Sequence, residues 1–505
     1  MMKKLALLPA LLLVVGACEP AVEGTVTLRE ADSPFIAFDV WVKAGSQNDP
    51  AGKEGLAALT ANLLSDGSTT QDSYDDIRAK LYPMAAGYGY DVDKEMTVFR
   101  GRIHRDNLEA YYELFRNSIL SPAWSEADFE RVKSQTMNFL ERTRRYGRDE
   151  ELSKELLFWM AYQGTPYVHP EEGYVQSVAS ITLDDVKQFY ADYYLAGNVV
   201  VGIGGGYPRG FVQQVRADFD ALPAGEVAQP PAPQPNMPDG VKVLIVEKDV
   251  DATAISLGFP TALKRGHEDF WPMVAMNSWF GEHRESFSHL YQVIRETRGM
   301  NYGDYSYIEA YPRGYTTQVP PTNVSRRSQL FEIWIRPISS TAPGNLHDRT
   351  LFATRAAWRE LKLLVDNGMT EETLADTKQF LRNYALNWGQ TISRRLGYAV
   401  DDTFYGMDPG YLREIRPALD RLTLDQVNAA IRRHLQVDNM WVVFITADAQ
   451  AMKRKLLSGV ATPITYAGEK PAELLAEDEL IASFPIPVQE DDITIIGIEE
   501  VFEGN

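Results

Sequence analysis

The chain has 505 residues, 45% of them apolar, a formal net charge of −20 and a pI near 4.9. That content is enough to bury a large core, and the length implies more than one domain. No Lys/Arg-rich run offsets the negative charge, which excludes a nucleic-acid partner and leaves protein or peptide as the expected one.

The chain opens MMKKLALLPALLLVVGAC. Two lysines precede an apolar run of about a dozen residues that ends in small residues, the pattern of a secretory signal. The run falls short of the roughly 20 apolar residues a membrane-spanning helix needs, and it stops before Cys18, Glu19 and Pro20. VGAC resembles a bacterial lipobox, and Cys18 is the only cysteine in the sequence. The expectation is a signal peptide over 1–17 and a lipidated N-terminus over 18–23. The rest would then be held at a membrane face of the bacterial cell envelope, facing the periplasm.

Strands are predicted at FIAFDVWV, MTVFRGRI and NVVVGI, and long amphipathic helices at NLEAYYELFRNSIL and FERVKSQTMNFLERT. From Pro223 to Pro238 the sequence PAGEVAQPPAPQPNMP carries six prolines, a linker composition. Beyond it the same mixture returns: strands at KVLIVE, FEIWIRPI and MWVVFIT, helices at FATRAAWRELKLLV and TLADTKQFLRNYALNW. Thr-Leu-Asp-x-Val begins at both Thr182 and Thr423, each time with an Asn sixteen residues on (Asn198, Asn439) and then a β-branched strand. SEADFERVK at Ser125 pairs with TEETLADTK at Thr370, both N-cap signatures. Offsets of 241 and 245 residues indicate an internal duplication. The reading is an α+β fold with one domain over 24–222, a linker over 223–239, a second domain over 240–460 and an acidic extension over 461–505. The extension holds eleven acidic residues and one lysine, but its PIPV and ITIIGI stretches are apolar enough to pack on the second domain.

Most catalytic signatures are missing. GIGGGYPRG, from Gly202, follows a strand as a dinucleotide loop would, yet Tyr207 occupies the third glycine position, so the glycines read as a strand-to-helix turn. There is no Gly-x-Ser-x-Gly, and the sole cysteine is at the anchor. No two of the seven histidines lie three to five residues apart, and His283 with His289 reads as a solvated loop pair.

GKEGLAALTANLLSDGS, residues 52–68, nevertheless has the frame of an active-site helix. With its preceding strand and its Gly55-Leu-Ala turn it resembles the zinc helix of the pitrilysin or insulinase family, the inverzincins with His-x-x-Glu-His. The resemblance spans nearly the whole chain and implies two duplicated insulinase-like domains forming half of a clam shell. At the ligand and base positions this sequence has Ala58, Ala61 and Asn62. Aligning FERVKSQTMNFLE with the third-ligand helix sets Phe139 at the remaining ligand position, with Glu141 about 200° further round an α-helix. No metal site is therefore expected in this chain. SHLYQVIRETRGMNY, by contrast, resembles the family's Arg-x6-Tyr motif, with Arg295 and Tyr302 at intact spacing. In the family these side chains contact the substrate and its developing oxyanion, a role suited to two preorganised donors. The resemblance implies a non-catalytic subunit of a heterodimeric zinc peptidase, with the zinc in a partner that carries the intact motif. A catalytically inactive peptide-binding or scaffold protein is the alternative. The first domain could also present an edge strand around YGYDVDKEMTVFRG to extended peptide.

Overall fold

The computed structural model describes residues 22–339 and 345–504, so the leader and Cys18 lie outside the described residues. β-Branched and aromatic runs in each half of the chain form one sheet. In the first half these are β1 (Thr25–Arg29), β2 (Phe35–Val42), β3 (Tyr88–Val92), β4 (Thr97–His104) and β5 (Val199–Gly205), in the order β1-β5-β2-β4-β3. The second sheet has β6 (Val241–Glu247), β7 (Ala252–Thr261), β8 (Asp304–Tyr307), β9 (Gln329–Ser339), β10 (Met440–Thr446) and β11 (Ile493–Gly497), in the order β11-β6-β10-β7-β9-β8. Set β11 aside and the two orders coincide. So do the directions: β5 runs parallel to β1 as β10 does to β6, and the other neighbours are antiparallel.

The helices that bear on function are α1 (Leu56–Asp66), α2 (Glu126–Asn138), α3 (Asp149–Ala161), α4 (Leu183–Tyr193), α5 (Phe270–Gly281), α6 (Glu371–Tyr384), α7 (Ile392–Tyr405), α8 (Leu424–His434) and α9 (Ala472–Ala482). The duplicated sequence signatures occupy matching places among them. Thr182 and Thr423 each cap the helix that feeds the central strand of a sheet, α4 into β5 and α8 into β10, and each forms a capping box. Ser125 and Thr370 cap α2 and α6 in the same way, their hydroxyls accepting from the third helical N–H.

The two sheets exchange helices. α3, from the first half of the chain, lies on β7, β9 and β10, while α7, from the second half, lies on β1, β2 and β5. Glycines make both approaches close. A Cβ on Gly204 would sit 2.9 Å from Ile392 of α7, and one on Gly202 would sit 3.3 Å from Val400. The glycines of GIGGG thus serve helix packing as well as the turn, which falls to Gly205 at φ +103° and Gly206. On the other sheet a Cβ on Gly258 would meet Leu157 of α3 at 3.2 Å, and the Ser153 and Ser256 hydroxyls share a 2.8 Å hydrogen bond.

The acidic C-terminal stretch contributes α9 and then β11, whose Ile493 and Ile495 register against Val243 and Ile245 of β6. Its last residues return to the first half of the chain. Val175 and Gln176 donate their N–H groups to the Phe502 and Glu503 carbonyls at 3.1 and 2.9 Å, and Arg145 donates to the Val501 carbonyl and the Glu503 carboxylate at 2.9 and 2.6 Å.

The seam between the halves is charged. Arg326 clasps Asp93 with two hydrogen bonds, Arg327 pairs with Glu95, and Arg395 holds Glu30 with three. Asn323 bridges two buried carboxylates: its N–H reaches Asp401 at 3.1 Å and its amide nitrogen reaches Asp39 at 3.3 Å. Burial pushes both acids up to about 7. A carboxyl whose folded-state pKa is raised weakens the fold as it ionises, so its cost grows from pH 4 to pH 7 and is absent below. Asp39→Asn is therefore expected to raise Tm over the parent at pH 8 and to lose that advantage by pH 4. Thermal unfolding at the two pH values checks this, and an equal offset at both would contradict it.

Candidate functional site

Asp49 starts α1 by accepting hydrogen bonds from the Gly55 and Ala57 N–H groups, both at 2.7 Å. Of the four degenerate positions, the fold brings two together. Ala58 and Phe139 line a cavity of about 330 Å³ between the two halves, whereas Ala61 is buried in the core and half-buried Asn62 is not part of the wall. The expected helix through residue 143 is not uniform: α2 ends at Asn138 and Phe139–Arg144 continues as a π-helix. The wider turn leaves half-buried Glu141 out of the cavity wall and puts Arg144 into it.

Arg144 decides what the cavity can hold. Its guanidinium lies 5.3 Å from the Phe139 ring centroid and pairs with Glu155 at 2.9 Å and with Glu172. A methyl group, a phenyl ring and a permanent cation offer zinc no donor and oppose its charge, so these residues do not fit the metal. Ion pairs line the remainder. Lys94 meets Glu171 at 3.0 Å and Arg326 meets it at 3.2 Å. Burial acts to raise the Glu171 carboxyl, but Lys94, Arg326 and Arg144 outweigh it and hold it at about 2. Glu155 goes the other way, its burial outweighing Arg144 and taking it up to about 7. Burial and the Lys94 charge bring neighbouring His169 down to about 4, keeping it neutral. The far wall comes from the second half, including Ala310–Arg313 and Glu332. β3 is the outer strand of its sheet, and its Tyr90 and Asp91 also line the cavity, with Asp91 paired to both Arg100 and Arg313.

Arg295 and Tyr302 stand apart from this cavity. Arg295 belongs to a second π-helix, Tyr291–Glu296, closed by Gly299 at φ +64°, whose N–H donates to the Arg295 carbonyl at 2.8 Å. The guanidinium lies 5.8 Å from the centre of the Tyr302 ring and 3.7 Å from Glu296. Tyr302 precedes β8 and is 75% exposed, and it opens onto a second cavity of about 660 Å³ with Arg284, Tyr305, Tyr384 and Arg394. Two donors beside one another, a guanidinium and an exposed phenol, suit the capture of a carbonyl or carboxylate oxygen.

The histidines differ from their sequence reading. His283 is buried, not solvated, among Tyr305, Tyr307, Tyr311 and Trp334. Its two ring nitrogens are 2.8 Å from the Tyr307 hydroxyl and the Thr317 carbonyl, and burial pushes it down to about 3. His289 stacks on Trp279 and bonds Glu360 at 2.7 Å. Sequence spacing also missed the approach of His267, Asp269 and His434, whose donor atoms lie within 4.8 Å of one another. Asp269 sits at the N-terminus of α5 and accepts from His434 at 2.7 Å and from Arg433, both in the last turn of α8. Opposite charges thus meet at complementary helix ends.

With this architecture in view, the comparisons agree on a family. Residues 25–170 match the insulinase (peptidase family M16) domain and residues 180–381 the M16 inactive domain, and the chain belongs to this family of two-domain α+β proteins. An uncharacterized zinc protease of Bacillus subtilis, YmxG, is 22% identical over 306 residues, covering 59% of this chain and 71% of the relative. A protein of Helicobacter pylori described as a non-peptidase homolog is 21% identical over 400 residues, covering 78% and 84%. Among solved structures, a peptidase M16 inactive domain from Pseudomonas fluorescens superimposes with a TM-score of 0.72 at 23% identity, covering 84% of this chain and 95% of that one.

If Arg144 balances the acids of the first cavity, Arg144→Met leaves Glu155 and Glu172 without their cation. The expected loss is about 3–5 kcal/mol at pH 8, smaller at pH 5 where Glu155 takes up a proton. Denaturant unfolding at both pH values measures it, and a pH-independent loss would assign Arg144 a packing role only.

Proposed function

We propose that this chain is the non-catalytic subunit of a heterodimeric M16 zinc peptidase, acting on short or unfolded peptides. Arg295 and Tyr302 contact the substrate carbonyl while a partner subunit bearing His-x-x-Glu-His supplies the zinc and the attacking water. One observation carries the reading: the zinc positions are closed by Ala58, Phe139 and the Arg144 ion pairs, while Tyr302 is fully presented beside a cavity with Arg295 stacked on it. At 75% exposure the Tyr302 hydroxyl is accessible to a ligand. The family match to an inactive domain, and the relative described as a non-peptidase homolog, support the division of labour. Cys18 would anchor the subunit by lipid to the bacterial envelope on the periplasmic side, bringing both subunits to one membrane face.

Tyr302→Phe removes one donor to the developing oxyanion. In the reconstituted pair with the zinc-motif chain it is expected to lower kcat by at least about tenfold while co-purification is unchanged. Peptide turnover and size-exclusion chromatography measure the two effects. Unchanged turnover would remove the oxyanion role, and peptide binding without turnover in any combination would favour the inactive binding or scaffold protein. Cys18→Ser is expected to move the protein from the membrane to the soluble fraction and to abolish metabolic labelling with a radiolabelled fatty acid. Retained labelling would contradict the anchor.

A further inference from the structure

The wall of the second cavity carries charge that the fold does not use. Most buried arginines elsewhere face a carboxylate: Arg326 has Asp93, Arg265 has Glu309, and Arg298 has both Glu477 and Asp478. Arg336, which also lines this cavity, is paired with Glu150 at 2.9 Å. Arg284 and Arg394 are different. Among the described residues neither forms an ion pair; their hydrogen bonds go to backbone carbonyls, and the Arg394 guanidinium also lies 5.9 Å from the Tyr398 ring centroid. Arg284 donates to Tyr315 at 2.5 Å and Gly314 at 3.3 Å, and Arg394 donates to Trp388 at 2.6 Å and Pro320 at 2.8 Å. Carbonyls fix a guanidinium in place without neutralising it, and although Glu150 acts on Arg284 from a distance, that carboxylate is already paired with Arg336. The Arg284 Nε is buried with no hydrogen-bond partner, and its backbone is held at φ +59°, a conformation a non-glycine residue adopts only when its surroundings enforce it. The first turn of α7, from Thr391 to Arg394, forms part of the same wall and adds its N-terminal dipole.

One acid lies in the lining, Glu285. It is a single carboxylate set against Arg284 and Arg394, and Arg336 is already matched by Glu150, so the lining keeps an excess of positive charge. At about 660 Å³ the cavity is large enough for a peptide residue with its side chain. Tyr302, Tyr305 and Tyr384 provide flat amphipathic surface around it.

We propose that this cavity binds a carboxylate of the peptide, either the C-terminal carboxylate or an Asp or Glu side chain, held by Arg284 and Arg394 with the adjoining backbone directed to Tyr302. The peptides recognised would thus be acidic or anchored by their C-terminus. The assignment of this ligand as substrate rests on the proposed function; the binding site itself does not. Attraction by the whole molecule is ruled out as a cause, because a chain of net charge −20 repels anionic peptides at long range.

The test uses the purified chain from residue 19 and four fluorescein-labelled decapeptides of otherwise neutral sequence: free C-terminus, amidated C-terminus, amidated with one internal Glu, and amidated with the Glu replaced by Gln. Fluorescence anisotropy is expected to show the first and third, or one of them, binding at least about tenfold more tightly than their neutral counterparts. Whichever carboxylate carries the gain identifies the source. Arg284→Gln and Arg394→Gln should each remove most of it, while Arg432→Gln on the exposed face of α8 should keep it. Circular dichroism and Tm verify folding, and two separate arginine variants keep the outcome readable if one is unstable. Equal affinity for charged and neutral peptides, or a preference that survives both arginine changes, would overturn the site. A carboxylate preference abolished by these variants, alongside unchanged turnover in Tyr302→Phe, would leave the site standing and remove only the oxyanion role.

Discussion

The reciprocal placement of two helices is the constraint on which the rest depends. Each sheet has one face covered by helices of its own half and would expose the other to water, and that face is closed by a helix from the opposite half. Leu152, Leu156 and Leu157 of α3 are buried on the second sheet, and Ile392, Leu396 and Val400 of α7 on the first. Full burial of such side chains contributes about 1.5–3 kcal/mol each, so six of them outweigh any single ion pair at the seam. The Pro-rich linker therefore joins two bodies already committed to one another by packing. The glycines at 202, 204 and 258 are the backbone side of that commitment, since bulk at these positions would lift a helix off its sheet.

Fixing the halves in this way also fixes where their polar groups meet. The first cavity forms at the seam, and its central cations meet carboxylates: Arg144 with two glutamates, Lys94 and Arg326 with Glu171. Such a network holds register more than it adds stability, because desolvating the ions offsets much of their attraction. The second cavity is lined by the later half, and there Arg284 and Arg394 form no ion pair among the described residues. One molecule thus contains a cavity threaded by ion pairs and another whose arginines outnumber its carboxylates. That contrast, more than the loss of metal donors alone, favours a recognition role.

Much of this was legible in the sequence because it rests on short-range signals. The repeated Thr-Leu-Asp-x-Val reports a capping box and the strand after it, and these local features recur with the same topology in both sheets. The absent zinc donors were legible from residue identity alone. What escaped depends on contacts distant in sequence. Nothing local announces that Ile392 will lie on Gly204, or that His267 will meet His434. Arg144 was missed for another reason: a π turn shifts the helix face, and extrapolating α-helical geometry past Asn138 points the following side chains wrongly. His283 looked like a loop residue because four aromatic residues that enclose it come from positions 305 to 334.

The return of the C-terminus to the first half has a consequence for how the molecule is made. Residues 501–503 hydrogen-bond to Arg145, Val175 and Gln176, and the Phe502 ring lies 5.9 Å from the Arg144 guanidinium. Synthesis runs from N- to C-terminus, so the first half waits for α7 to close its sheet and for the final few residues to finish its seam. A chain interrupted before residue 501 would contain both sheets and nearly every helix, yet leave Arg145 and the Val175 and Gln176 N–H groups without these partners. The earlier half is thereby finished by residues made long after it.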